Sequence, residues 1–138
     1  MQHPVFLTDI DALRLRSVAH RLANDRSEDR VSGENLFELL DAAQVVPANA
    51  IAADVVTMNS QVTYEDGRDG SSHTLTLVYP GEADVASGRV SVLSPLGRAL
   101  LGARVGARVE FATPAEGKRA VIVRGVAYQP EAAGDWNL

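Results

Sequence analysis

Residues 94–106 read SPLGRALLGARVG. Ser94 carries the hydroxyl of a helix N-cap, and Pro95 falls at the first helical position, where a missing N–H costs nothing. Leu96, Ala99 and Leu100 share a face at i, i+3 and i+4. Gly102 stands at C′, where positive φ is tolerated, and Gly106 allows the turn into the next segment. The pattern predicts one short helix, punctuated at both ends, that closes a sheet and buries its leucines.

The chain on either side of this helix reads as β-structure. DVVTMNSQVTYED, residues 54–66, is rich in β-branched residues and predicts a strand. DGRDGSS is a turn signal. HTLTLVYP then alternates, with Leu75, Leu77 and Tyr79 on one face and Thr74, Thr76 and Val78 on the other. RVSVLSP predicts a third strand, ARVEF near residues 107–111 a fourth, and RAVIVRGVAYQP a fifth. Gly125 inside the fifth predicts a bulge or a close backbone approach. The tail PEAAGDWNL has no periodicity and is expected to lie extended on the surface, with Trp136 docked.

The first fifty residues differ in character. Thr8 is an N-cap candidate, and Thr8-x-x-Asp11 has the spacing of a capping box. Ala12, Leu15, Val18, Ala19 and Leu22 form a helical stripe, so a helix is predicted over 8–24. NDRSEDRVSG, residues 24–33, reads as a charged turn ending at Gly33. A second helix is predicted from Ser32 to Val45, with Leu36, Leu39, Leu40 and Ala43 on its apolar face and Pro47 just beyond. Two such helices make an antiparallel hairpin arm about 25 Å long. The fold class is therefore α+β by segregation: an N-terminal antiparallel helical hairpin over residues 1–50, then an antiparallel sheet domain with one short helix over 51–138.

Composition narrows the function. Thirteen basic residues face 18 acidic ones, a net charge of −5, so direct nucleic-acid binding is disfavoured. There are no cysteines, which excludes thiolate metal sites and cysteine nucleophiles. No run approaches the roughly 18 apolar residues of a membrane span, and the N-terminus lacks a secretory pattern. A cytoplasmic monomer without cofactor is expected. His3, His20 and His73 show no ligand spacing, and no hydrolase, P-loop or dinucleotide fingerprint occurs.

Several fragments together resemble a known family. DVVTMNS, TLVYP, VSVLSPLGRALLGARVG and YQPEAAGD resemble the Rnk-type regulators of nucleoside diphosphate kinase. SP-x-G-x-ALLG-x-x-VG is similar to the C-terminal domain shared by the transcript-cleavage factors GreA and GreB, over about residues 54–128. The resemblance implies an FKBP-like sheet behind a coiled-coil arm, and a partner: bacterial RNA polymerase, bound through the β′ subunit's coiled coil at the rim of the secondary channel. In GreB-like relatives an Asp-Ser-Pro tripeptide makes that contact. The matching positions are Leu93, Ser94 and Pro95, so the acid is replaced by a leucine expected to point outward. Ala107 also departs from the usual Asp.

Cleavage factors carry paired carboxylates at the arm tip that help hold a second Mg²⁺. Here the tip offers Asp25, Glu28 and Asp29. A cleavage-stimulating factor using Glu28 and Asp29 is therefore the alternative reading. Against it stand the short arm, since metal-assisted hydrolysis needs proximity, and the flanking Arg26 and Arg30, which compete with a cation for those acids. The resemblance favours a non-enzymatic regulator that occupies the channel rim, excludes GreA and GreB, and affects the kinase only through transcription.

Overall fold

The computed structural model describes residues 4–24 and 29–135, Asp29 by its backbone alone. The chain runs β1 (Phe6–Thr8), α1 (Asp9–Ala23), α2 (Asp29–Ala42), β2 (Gln44–Val46), β3 (Gln61–Asp66), β4 (Ser72–Val78) and β5 (Arg89–Ser91). It continues through α3 (Pro95–Leu100), β6 (Arg108–Thr113), β7 (Gly117–Tyr128) and α4 (Pro130–Ala133). This is an α+β fold with two N-terminal helices and a five-stranded sheet in the order β5-β4-β3-β7-β6.

The first helix forms as its sequence dictates. The Thr8 hydroxyl accepts the Asp11 amide at 3.0 Å, and Asp9 and Asp11 occupy the first turn. Leu15, Val18 and Ala19 are buried along the expected stripe. The second helix departs from expectation at both ends. It starts at Asp29, and it stops at Ala42 rather than Val45. Val45 and Val46 are β-branched, and Pro47 disfavours helix before it. Gln44–Val46 instead pair in parallel with Phe6–Thr8. Gly33 is not a turn residue. It lies inside α2, where a Cβ would come within 2.8 Å of the Ala23 nitrogen and 3.0 Å of the Ala19 oxygen, so it sets how closely the two helices approach.

The sheet is mostly antiparallel, with one correction. β5 runs parallel to β4, Thr76 opposite Arg89. Residues 79–88 carry the chain back alongside β4 through two 3-10 turns before β5 begins, so the two strands share a direction. The first predicted strand is also shorter than its sequence suggested. Asn59 adopts φ 66° and ends the extended run, and Val56 hydrogen-bonds with Gly102 and Ala103 instead of joining the sheet. The expected irregularity at Gly125 is present: Thr63 pairs with Gly125 but Tyr64 with Val123, leaving Arg124 as the bulged residue.

One hydrophobic core spans the molecule. Leu7, Leu15, Leu36 and Leu40 belong to the same buried cluster as Met58, Val62, Leu77, Leu100, Val109 and Val121. The tail is not extended: Pro130–Ala133 form a helical turn. Trp136, expected to dock, lies outside the described residues. Among the described residues no helix is long and apolar enough to cross a membrane.

Candidate functional site

The short helix α3 presents the tripeptide singled out by its motif. Ser94 Oγ accepts the Gly97 amide at 3.0 Å and donates to the Ser91 carbonyl at 2.7 Å. Pro95 occupies the first turn as expected. Gly97 packs directly on Ser91; a Cβ there would collide with the Ser91 carbonyl oxygen, so only glycine lets α3 seat against the end of β5. Leu93 departs from expectation. It is half-buried and packs against the core instead of pointing outward. The valine-rich strand before it buries Val92, and the turn into α3 folds Leu93 back. Its carbonyl accepts Arg98 Nη1 at 2.6 Å, which ties the turn to the helix it precedes. Burial lowers the Arg98 guanidinium from its ordinary value. Ser94 and Pro95 are each partly exposed.

Asp25 and Glu28 lie outside the described residues. Asp29 is the first residue of α2, at the opposite end of that helix from Ala42 and the sheet.

At the base of the arm the structure joins polar residues through contacts that motif reading did not foresee. Asp11 is 3% exposed. It does not return a bond to Thr8, as a full capping box would. Its Oδ2 accepts the Met58 amide at 3.0 Å, and its Oδ1 lies 3.5 Å from the Tyr79 hydroxyl. Burial pushes its carboxyl up to about 6, offset in part by the Met58 amide. Burial and the neighbouring Asp11 also push the Tyr79 phenol up. Thr57 Oγ1 donates to Glu131 Oε1 at 2.7 Å and meets Ser60 Oγ at 2.9 Å. Gln129 completes this junction: its Nε2 donates to the Ala52 and Val55 carbonyls at 2.7 and 2.9 Å, while its Oε1 caps α4 through the Ala132 amide. The YQPEAAGD signature is thus a lock that fastens the C-terminal turn to the 52–57 loop. The local signal in Gln-Pro-Glu is an N-cap; its distant partners carry no local signal.

Two open grooves flank the arm. One, of about 810 Å³, runs between α1 and the Tyr79–Glu82 turn, with Arg14, Arg21 and Leu22 on the helix side. The other, of about 780 Å³, runs between α2 and the α3–β6 edge and includes Pro95. The motif helix therefore borders a groove whose far wall is the arm.

Comparison with known proteins matches this architecture. The family model described as "Transcription elongation factor, GreA/GreB, C-term" matches residues 51–128. The chain is 35% identical over 136 residues to the "Regulator of nucleoside diphosphate kinase" of Escherichia coli (strain K12), covering 97% of this chain and 96% of that protein. It is 35% identical over 81 residues to the "Transcription elongation factor GreA" of Oenococcus oeni, covering 59% of this chain and 50% of that one. Among solved structures, the "Prokaryotic transcription elongation factor GreA/GreB from Nitrosomonas europaea" superposes with a TM-score of 0.71 at 32% identity, covering 90% of this chain and 99% of that one.

Proposed function

Since the chain belongs to the GreA/GreB elongation-factor family, we propose that it is a non-enzymatic transcription regulator that binds RNA polymerase at the rim of the secondary channel. The sheet domain from residue 51 onward docks on the β′ coiled coil through Ser94 and Pro95, with Leu93 as an apolar backing. The arm of residues 1–50 occupies the channel mouth as a single copy and so excludes GreA and GreB. Any effect on nucleoside diphosphate kinase level then runs through transcription.

The observation that carries this reading is the pairing of a Gre-type sheet with helices of only 15 and 14 residues. At 1.5 Å per residue such helices reach about 22 Å. An arm of that length obstructs an entrance, and it is too short to carry carboxylates to a distant metal. The rim contact rests on geometry as well. Ser94 and Pro95 sit on a helix start fixed by two Ser94 hydrogen bonds, so their position is set before any partner arrives.

The test is retention of purified RNA polymerase on the immobilised protein, with GreA as competitor. Wild type retains polymerase and loses it to excess GreA. Pro95→Ala weakens retention at least several-fold while the helix cap keeps the fold. Backtracked complexes incubated with the protein keep their RNA 3′-ends intact. No retention by wild type overturns the docking, and shortened 3′-ends overturn the non-enzymatic reading in favour of a cleavage factor.

A further inference from the structure

The two edges of the five-stranded sheet are finished differently. At one end, β5 is three residues long, and Asp84 and Arg89 close its outer side with a reciprocal pair of backbone bonds, at 3.0 and 2.9 Å. At the other end, β6 is six residues long and pairs only with β7. In an antiparallel ladder, alternate residues turn their N–H and C=O toward the neighbour. The Val123 amide donates to the Ala107 carbonyl, and the Gly67 amide donates to the Ala120 carbonyl. These bonds place Val121 and Arg119 facing β6, and hence Val109 and Phe111 facing β7. Arg108, Glu110 and Ala112 turn their backbone groups outward, and among the described residues nothing accepts or donates to them.

That open edge borders the second groove. Its floor and walls include Leu39 and Ala42 from α2, Pro95 and Ala99 from α3, and Phe111 from β6. A row of outward amides and carbonyls at every second residue is matched only by another extended backbone. A groove of about 780 Å³ between β6 and α2 leaves room for the side chains of one extended segment beside that edge. Arg108 and Glu110 pair with each other at 2.5 Å and guard the edge against indiscriminate pairing. A strand carrying an acid opposite Arg108 and a base opposite Glu110 would replace that pair with two.

We propose that β6 is a β-augmentation site: an extended segment of a partner protein adds antiparallel to Arg108–Thr113 as a sixth strand. Its alternate apolar side chains lie in the groove against Leu39, Ala99 and Phe111, and its oppositely charged residues, two apart, meet Glu110 and Arg108. The groove shares Pro95 with the polymerase contact proposed above, but the ladder groups of β6 take no part in that contact.

The probe is the capped peptide Ac-Thr-Val-Lys-Val-Glu-Val-NH2, and the readout is residue-resolved amide hydrogen exchange. In the free protein the amides of Arg108, Glu110 and Ala112 exchange fast and those of Val109 and Phe111 slowly. At millimolar peptide the three outward amides slow at least tenfold, and the inward ones do not change. N-methylation of the peptide at its Lys and Glu nitrogens abolishes the slowing. Glu110→Pro removes an outward N–H while sparing the bonds to β7; it unfolds at the wild-type temperature and shows no peptide-dependent slowing at Arg108 or Ala112. The proposal is overturned by unchanged exchange at millimolar peptide or by equal protection from the N-methylated peptide. Protection that rises with protein concentration alone also overturns it, because a second copy would then cover the edge.

Discussion

Asp11 spends one oxygen on the Met58 amide and turns the other toward the Tyr79 hydroxyl, at a site 3% exposed to solvent. An isolated aspartate loses its proton near pH 3.9, whereas burial holds Asp11 to about 6. Between those values the folded chain binds a proton that the unfolded chain has released. Stability therefore falls as pH rises from about 4 to about 6, by roughly 2–3 kcal/mol, and stays lower above it. Asp66 has the opposite sign. The Arg68 amide first, then the Arg68 and Arg119 side chains, hold its carboxyl down to about 2. Its contribution is present above about pH 4 and is lost as pH falls toward 2. The two windows are separate, so one substitution isolates the first. Asp11→Asn keeps an acceptor for Met58 and removes the buried charge. Urea titrations at pH 4.5 and pH 8 should show the wild type less stable at the higher pH and the variant nearly level between pH 4 and 6. An unchanged wild-type slope in the variant would place the titration elsewhere.

At the scale of elements, α1 and α2 meet at a glycine, and two effects of substitution oppose each other there. Alanine favours a helix interior over glycine by about 1 kcal/mol. A Cβ at Gly33, however, would press on the backbone of α1 at Ala23 and Ala19, at 2.8 and 3.0 Å, and a helix backbone cannot rotate away as a side chain can. The collision is expected to win. Gly33→Ala should destabilise the protein by about 1–3 kcal/mol net, read as a lower urea midpoint at unchanged slope. A rise in the midpoint would mean that the helices separate freely. The same reasoning explains Gly97, where α3 lies on the Ser91 carbonyl. It also explains Gly102, where φ is 79° and an added Cβ would come within 2.9 Å of the Phe6 carbonyl oxygen, so that glycine lets β1 cross over the loop after α3.

At the scale of the molecule, the arm is not a separate body appended to the sheet. Leu15, Leu36 and Leu40 share one buried cluster with Val62, Leu77 and Val121. The base of α1 is fixed to the sheet domain through Asp11, and α4 is fixed to the 52–57 loop through Gln129 and Glu131. A shared core predicts a single cooperative transition. Helix loss followed by circular dichroism and tyrosine environment followed by fluorescence should coincide in urea; an early helical transition would show an arm that melts alone. This rigidity suits the proposed obstructing role, because an arm held at its base would keep a defined angle to the surface proposed to dock.

How much of this was legible in the chain depends on the reach of each interaction. The cap and span of α3, the stripe of α1, the alternation of β4 and the bulge beside Gly125 follow from residues within four positions of one another, and periodicity reports them directly. Ser94 as the cap and Pro95 in the first turn of α3 were readable for the same reason. Interactions between distant residues were decided only by the tertiary structure. Asp11 reads as a helix-capping acid, yet its partner amide is 47 residues away. Gln129 reads as the end of a strand, yet it caps α4 and holds a carbonyl 77 residues away. Gly33 reads as a turn until a second helix arrives beside it. The parallel course of β5 and the open edge of β6 likewise depend on which strands become neighbours. Local sequence thus set α1, α3, β4 and β7 to within a few residues, whereas the late start of β3, the short strands β1 and β2, the helical tail and the choice of partners came from burial of one shared core.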